Sequence, residues 1–238
     1  MGMRKHAGLA VATAAMLAVT ACGGSGDTAD KNTGKADAGA AGASSTYDAK
    51  RLKAALLTTY EQARQAEPAG SGTVGALQDR LGLGKRLTEI KTSKPSCLTA
   101  GPNLTSPTLR KVPASATAIT DKRRGYTLGE VLYSTDAKSQ RELVDRPIPA
   151  SCRHVTAKVK NATIKLGIRP IRMPKAAYPA RGVATTVESG GKAQKTLTMM
   201  FASPKYGGSL SLSGPRARAK LLRQATAKAI SAADRSLR

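Results

Sequence analysis

Few side chains in this 238-residue sequence can do chemistry: three cysteines, two histidines and 15 carboxylates, with no tryptophan. Cys22 is the one in a setting that invites modification. It follows Val19-Thr20-Ala21, at the end of an apolar run from Ala7 to Val19, behind Arg4, Lys5 and His6. A basic start, an apolar stretch and then small residues is the order of a secretory signal. The run has 13 residues. A bilayer-spanning helix needs about 20, so this segment cannot stay as an anchor by itself.

Val19 to Cys22 resembles a bacterial lipobox. In such signals the cysteine thiol takes a diacylglyceryl group, and cleavage leaves that cysteine as the new N-terminus. Two acyl chains hold a protein to a bilayer where one gives only marginal binding. The expectation is a removed lipoprotein signal peptide (1–21), a lipidated Cys22, and a protein held on the extracytoplasmic face of the cell membrane. Met1-Gly2 does not suggest myristoylation, because His6 stands where Ser or Thr is wanted. Residues 23–46 contain no large apolar side chain and cannot bury enough surface to order themselves. They are expected to be a flexible linker with a root-mean-square reach of roughly 25–30 Å.

Residues 47–238 remain as one domain of ordinary size. The formal charge is +24, with 39 Lys and Arg. Almost all of it falls in this domain, since the leader carries +2 and the linker −1. Export argues against nucleic acid as the partner of so basic a domain. Attraction to anionic wall polymers or lipid headgroups, or a solvated basic surface, are the alternatives. With Cys22 lipidated, Cys97 and Cys152 are left to pair in an oxidising compartment.

The pattern along the domain predicts a helix from Ser45 to about Ala66, with Leu52, Ala55, Leu56, Tyr60 and Ala63 on one face. A short helix near Val74–Leu81, a strand near Arg86–Thr92 and a long loop over 93–115 follow. Strands are then expected at 116–120 and 126–134, a short helix at Ala137–Asp145, and strands at 154–160 and 162–169. In the last of these Ile164, Leu166 and Ile168 alternate with Lys165, Gly167 and Arg169, a strand with one buried face. Two more strands flank Ser189-Gly190-Gly191-Lys192, another covers 209–213, and a helix runs from Pro215 to about Leu237. The fold class is α+β: an antiparallel sheet flanked by N- and C-terminal helices.

Several motifs tempt and fail. Gly70-Ser71-Gly72-Thr73-Val74-Gly75 matches the dinucleotide fingerprint, but it is expected to follow a helix rather than a strand. Ser189–Lys192 matches S-x-x-K, yet sits in a turn rather than at a helix start, without its companion motifs. Arg123-Arg124-Gly125-Tyr126 lacks the aromatics of an RNA-binding strand. His154 is the one histidine outside the leader, too few for zinc beside a bridged cysteine pair. Of the carboxylates, Glu130 is the least ordinary, because it falls inside a strand. One Phe and six Tyr leave little for stacking sugars or bases. No cofactor, metal or catalytic residue is assigned.

With these elements placed, the chain resembles the actinobacterial exported lipoproteins whose domain is similar to the extracellular sensor domain of PknH-type serine/threonine kinases. The likeness is carried by Ala54-Ala55-Leu56-Leu57-Thr58 and by Gly129-Glu130-Val131-Leu132-Tyr133 with the following helix and Cys152. It continues in Ile168-Arg169-Pro170-Ile171, through Pro174 to Gly182-Val183-Ala184. The resemblance implies an antiparallel sheet flanked by helices and a groove for an extracytoplasmic ligand. Sensors of this kind carry two disulfides, where this chain can form one, Cys97–Cys152. Their Asp-Leu-Pro-x-Gly after the first helix is also missing, so no ligand site is carried over. The expected function is a non-enzymatic, lipid-anchored binding or sensing module whose ligand is small, lipidic or an anionic wall polymer. The alternatives are a module docking another envelope protein through its basic surface and, less favoured, a wall or lipid hydrolase.

Overall fold

The computed structural model describes residues 46–65, 70–100, 109–172 and 176–238. The leader, Cys22 and the linker up to residue 45 lie outside them. Alternation along the strands sets the architecture. Nine strands pair throughout as antiparallel neighbours in the order β3-β5-β6-β11-β10-β9-β8-β7-β4. They are β3 (Gly70–Thr73), β4 (Ile90–Thr92), β5 (Pro113–Asp121), β6 (Tyr126–Tyr133), β7 (Val155–Val159), β8 (Ala162–Ile171), β9 (Ala180–Ser189), β10 (Lys192–Ala202) and β11 (Gly207–Ser213).

Helices α1 (Ala49–Ala55) and α6 (Ala219–Ser236) lie on the first face of this sheet. Leu52 and Ala55 of α1 meet Leu222, Ala225, Ala229 and Ala233 of α6 over Leu128, Leu132, Leu197, Leu210 and Leu212. Helices α2 (Val74–Arg80) and α5 (Ala137–Asp145) cover part of the second face. There Val74, Leu77, Leu143 and Val144 pack on Val131, Met200 and Ala202. The rest of the second face lies under α4 (Pro95–Leu98) and a 3₁₀ turn, Ala150–Arg153. These two are tied by the Cys97–Cys152 disulfide, both residues fully buried against Val155, Ile164, Leu166 and Val183. A further short helix, α3 (Leu83–Thr88), precedes β4.

The α+β class and the flanking helices are as the sequence implies. Several boundaries differ. The first helix is capped by Asp48, whose side chain accepts the Arg51 N–H, and it ends at Ala55 rather than Ala66. Beyond it Leu56 is extended, and the chain turns into a small hairpin of β1 (Thr59–Tyr60) and β2 (Ala63–Arg64). The stretch expected as a strand from Arg86 begins as α3. The expected loop over 93–115 contains α4, and its end from Pro113 belongs to β5. The glycines of Gly70–Gly72 form an edge strand paired with β5 rather than a loop after a helix. The last helix starts at Ala219, four residues after Pro215.

Gly208 is required by a close approach. A methyl group there would run into the Phe201 ring and the Leu132 side chain. Gly208→Ala should destabilise the domain by roughly 1–3 kcal/mol through overpacking, measured by urea denaturation. The disulfide joins residues 55 apart. Replacing both cysteines by alanine should remove about 4 kcal/mol of stability, or roughly 8–16 °C in Tm for a domain of this size, read from a thermal melt.

Candidate functional site

Glu130 points from β6 to the first face between Leu128 and Leu132, and only 1% of it is exposed. A carboxylate in such a place must be hydrogen-bonded or neutralised. One oxygen, Oε2, accepts the Leu57 N–H at 2.8 Å. The other, Oε1, is buried without a partner among the described residues. Directly opposite on β5 stands Thr117, whose buried hydroxyl is also unpartnered. Desolvation pushes the Glu130 carboxyl up to about 7, against the opposing pull of the Leu57 hydrogen bond.

That hydrogen bond explains why α1 stops where it does. Leu57 turns its N–H away from the helix path and toward the sheet, and residues 56–65 become a strap over the β5–β6 pair. The strap is held at several points. Gln65 donates its side-chain amide to the Leu57 carbonyl at 2.9 Å, its N–H to the Thr58 carbonyl at 3.1 Å, and bridges to Ile119 of β5. Glu61, at a left-handed turn position (φ 53°), forms an ion pair with Arg124 of the β5–β6 turn. Arg124 also lies 3.8 Å from Asp121. The Tyr60 hydroxyl reaches the Leu221 carbonyl of α6 at 3.4 Å, and the Lys228 ammonium sits 5.6 Å from the centre of its ring.

A second polar cluster pins α6 at its other end. Tyr206 donates to the Asp234 carboxylate at 2.7 Å, and Tyr178 donates to it at 3.0 Å. Tyr47 donates to the Leu237 carbonyl at 2.5 Å. Burial first, and the Asp234 carboxylate second, hold the Tyr206 hydroxyl far above its ordinary value. All six tyrosines and Phe201 are buried or half-buried, so the domain offers no exposed ring for stacking.

The other sequence candidates are not brought together. Cys97 and Cys152 are joined to each other. His154 is exposed, with its Nε2 3.5 Å from an Arg169 nitrogen. Ser189–Lys192 lies across a two-glycine turn with φ of 55° and 75°. Gly70–Gly75 spans an antiparallel edge strand and the start of α2, not the parallel β–turn–α unit that cradles a pyrophosphate. Among the described residues no three His, Cys, Asp or Glu side chains gather as a metal site would require. Thr117 and the strap carry no signal in the sequence. Glu130 does, as a single acid within an apolar strand.

No protein-family model matches the sequence, and no curated protein does either. Two solved structures are similar to it. One is the extracellular domain of PknH from Mycobacterium tuberculosis, at 14% identity and a TM-score of 0.50, over 80% of this chain and 96% of that one. The other is an uncharacterized protein of Mycobacterium smegmatis, a Rv0999 ortholog, at 13% identity and a TM-score of 0.48, over 78% of this chain and 97% of that one. The chain therefore has the fold of the PknH extracellular domain.

The buried carboxyl gives stability a pH dependence of known sign. The folded protein holds this proton more tightly than the unfolded chain, whose Glu has its ordinary value of 4.5. The group's favourable contribution is thus intact below pH 4.5 and is lost as pH rises through about 7. The loss is on the order of 3 kcal/mol. Glu130→Gln keeps an acceptor for the Leu57 N–H and removes the charge. Its urea midpoint should match the parent's at acid pH and exceed it at pH 8. Parallel pH profiles for the two proteins would contradict this account.

Proposed function

We propose that this chain is a lipid-anchored, extracytoplasmic binding or sensing module of the cell envelope, without enzymatic activity. The observation that carries the proposal is a fold shared with a domain described as the extracellular domain of PknH, matched over 96% of that domain. The lipobox-like Val19–Cys22 supports the same compartment, as does a fully buried disulfide, a bond that persists in oxidising surroundings. No second acid, base or nucleophile is hydrogen-bonded to Glu130 among the described residues.

In this reading the receiving element is the strap. A ligand that presents a hydrogen-bond donor to Glu130 competes with the Leu57 N–H and frees the exit of α1. The ligand is small, lipidic or a segment of anionic wall polymer. The anchor is tested by mass spectrometry of the native protein's N-terminal peptide. We expect a diacylglyceryl group on Cys22, residues 1–21 removed, and loss of both changes in Cys22→Ala. An unmodified Cys22 with its leader attached would refute the anchor. Native mass spectrometry of protein extracted from its own membranes addresses the binding role, with a co-purifying molecule expected. A bare polypeptide mass counts against it.

A further inference from the structure

The first face of the sheet is covered from β5 to the near half of β9, where Ala180 and Ala184 pack against the core formed with α1 and α6. Its outer third is not. On β4, β7 and β8, and on the far halves of β9 and β10, the first-face positions are exposed or half-exposed. They carry Lys91, Lys158, Lys165, Arg169 and Lys195, all exposed, set among Thr156, Thr163 and Thr186. Glu188 lies on the same face, 3.7 Å from Lys165. The other face of these same strands is apolar and closed by the disulfide layer. Among the described residues the sheet is therefore finished on one side only, and the open side is basic.

One pair concentrates this charge. Lys91 and Lys158 are direct cross-strand partners. Like charges placed opposite one another destabilise a strand pair. A negative surface outside the protein removes that penalty. The patch is about 19 Å across its five strands at 4.8 Å spacing, and an anchor at Cys22 sets it beside a plane of headgroups. It presents no aromatic ring, so sugar stacking has no purchase there. On the reading of Cys22 as the anchor, on which this inference rests, 24 residues lie between Cys22 and Tyr47. Their reach of roughly 25–30 Å lets the patch come within the Debye length of about 8–10 Å over which such attraction acts.

We propose that the uncovered face of β4, β7, β8 and the far ends of β9 and β10 docks on anionic phospholipid, laying the domain down on the bilayer that its lipid already enters. Orientation follows from the placement: α1, α6 and the strap stand beside the contact, on the same side of the sheet.

The test uses the chain from residue 23 onward, which lacks both the acylated cysteine and the apolar leader, and vesicles of phosphatidylcholine alone or mixed equally with phosphatidylglycerol. Co-sedimentation is expected on the mixed vesicles, weak on phosphatidylcholine, and reversed at high salt. The triple variant Lys158→Gln, Lys165→Gln, Lys195→Gln should bind the mixed vesicles roughly a hundredfold more weakly, about fivefold for each charge. A triple variant of equal charge on the last helix and its lead-in (Arg216→Gln, Lys220→Gln, Arg235→Gln) should change binding by only a few-fold. Equal losses in the two triples would overturn the proposal, since attraction would then follow net charge and not this face. Binding that needs no phosphatidylglycerol would overturn it too. So would tighter, face-dependent binding to soluble polyphosphate than to vesicles, or self-association that the sheet-face triple abolishes. None of these outcomes depends on whether Cys22 of the native protein is acylated, which its N-terminal peptide mass decides separately.

Discussion

A sheet of nine strands has two faces to cover, and the described residues carry too little helix for both. At about 4.8 Å between strands the sheet is roughly 38 Å wide. Helix α6, with 18 residues, is about 27 Å long, and α1, with seven, about 10 Å. Even laid across the strands, α6 could not reach both edges. The second face is closed by a succession of short pieces, α2, α5, α4 and the 3₁₀ turn, with a disulfide fixing the last two. On the first face nothing comparable exists beyond the middle of β9 among the described residues. The outer strands answer this shortage in their own sequence. Ile164, Leu166 and Ile168 serve the closed side of β8, while Lys165 and Arg169 serve the open one.

The scarcity of aromatic residues takes on meaning in the same frame. With one Phe and six Tyr, the domain has few large side chains to spend, and it puts them where a helix must be held in place. Phe201 and Tyr206 meet edge to face at 5.9 Å, Tyr206 and Tyr178 at 6.5 Å, all beneath or beside the last turns of α6. Three hydroxyls from distant parts of the chain converge on residues 230–237. A buried tyrosine needs a partner for its oxygen, and here that need specifies where the helix ends on the sheet. Rings used in this way are unavailable to a ligand, which leaves charge and hydrogen bonding as the surface's means of recognition.

What the sequence made legible was periodic. The alternation in β8, the two-glycine turn before β10, the short helix Ala137–Asp145 and the pairing of the last two cysteines are local patterns or simple arithmetic, and the structure contains each of them. The losses have a common cause. From Ala49 to Ala63 the apolar spacing suits a helix throughout, yet the helix ends at Ala55 because a carboxylate 73 residues away takes the Leu57 N–H. Gly70–Thr73 has no strand propensity of its own and is a strand because β5 offers an edge. In both places a tertiary partner overrides local preference. The candidate site suffered the same way: Glu130 stood out as an acid among apolar neighbours, whereas its partners could be found only by folding the chain.

A buried carboxyl is a costly thing to retain in a core. A side chain of similar size without charge would pack there with less penalty at neutral pH. The geometry suggests what the cost obtains. The Glu130 hydrogen bond is the junction between the central strands and the strap, a hairpin of two-residue strands whose Leu57, Tyr60 and Ala63 are buried in the same core. Opposing terms meet at the junction, because ionisation strengthens the bond to Leu57 while raising the desolvation penalty. On the reading proposed above, a competing hydrogen-bond donor at Glu130 would release the Leu57 N–H and with it the strap. An all-apolar core at this position would leave the buried Leu57 N–H without its acceptor.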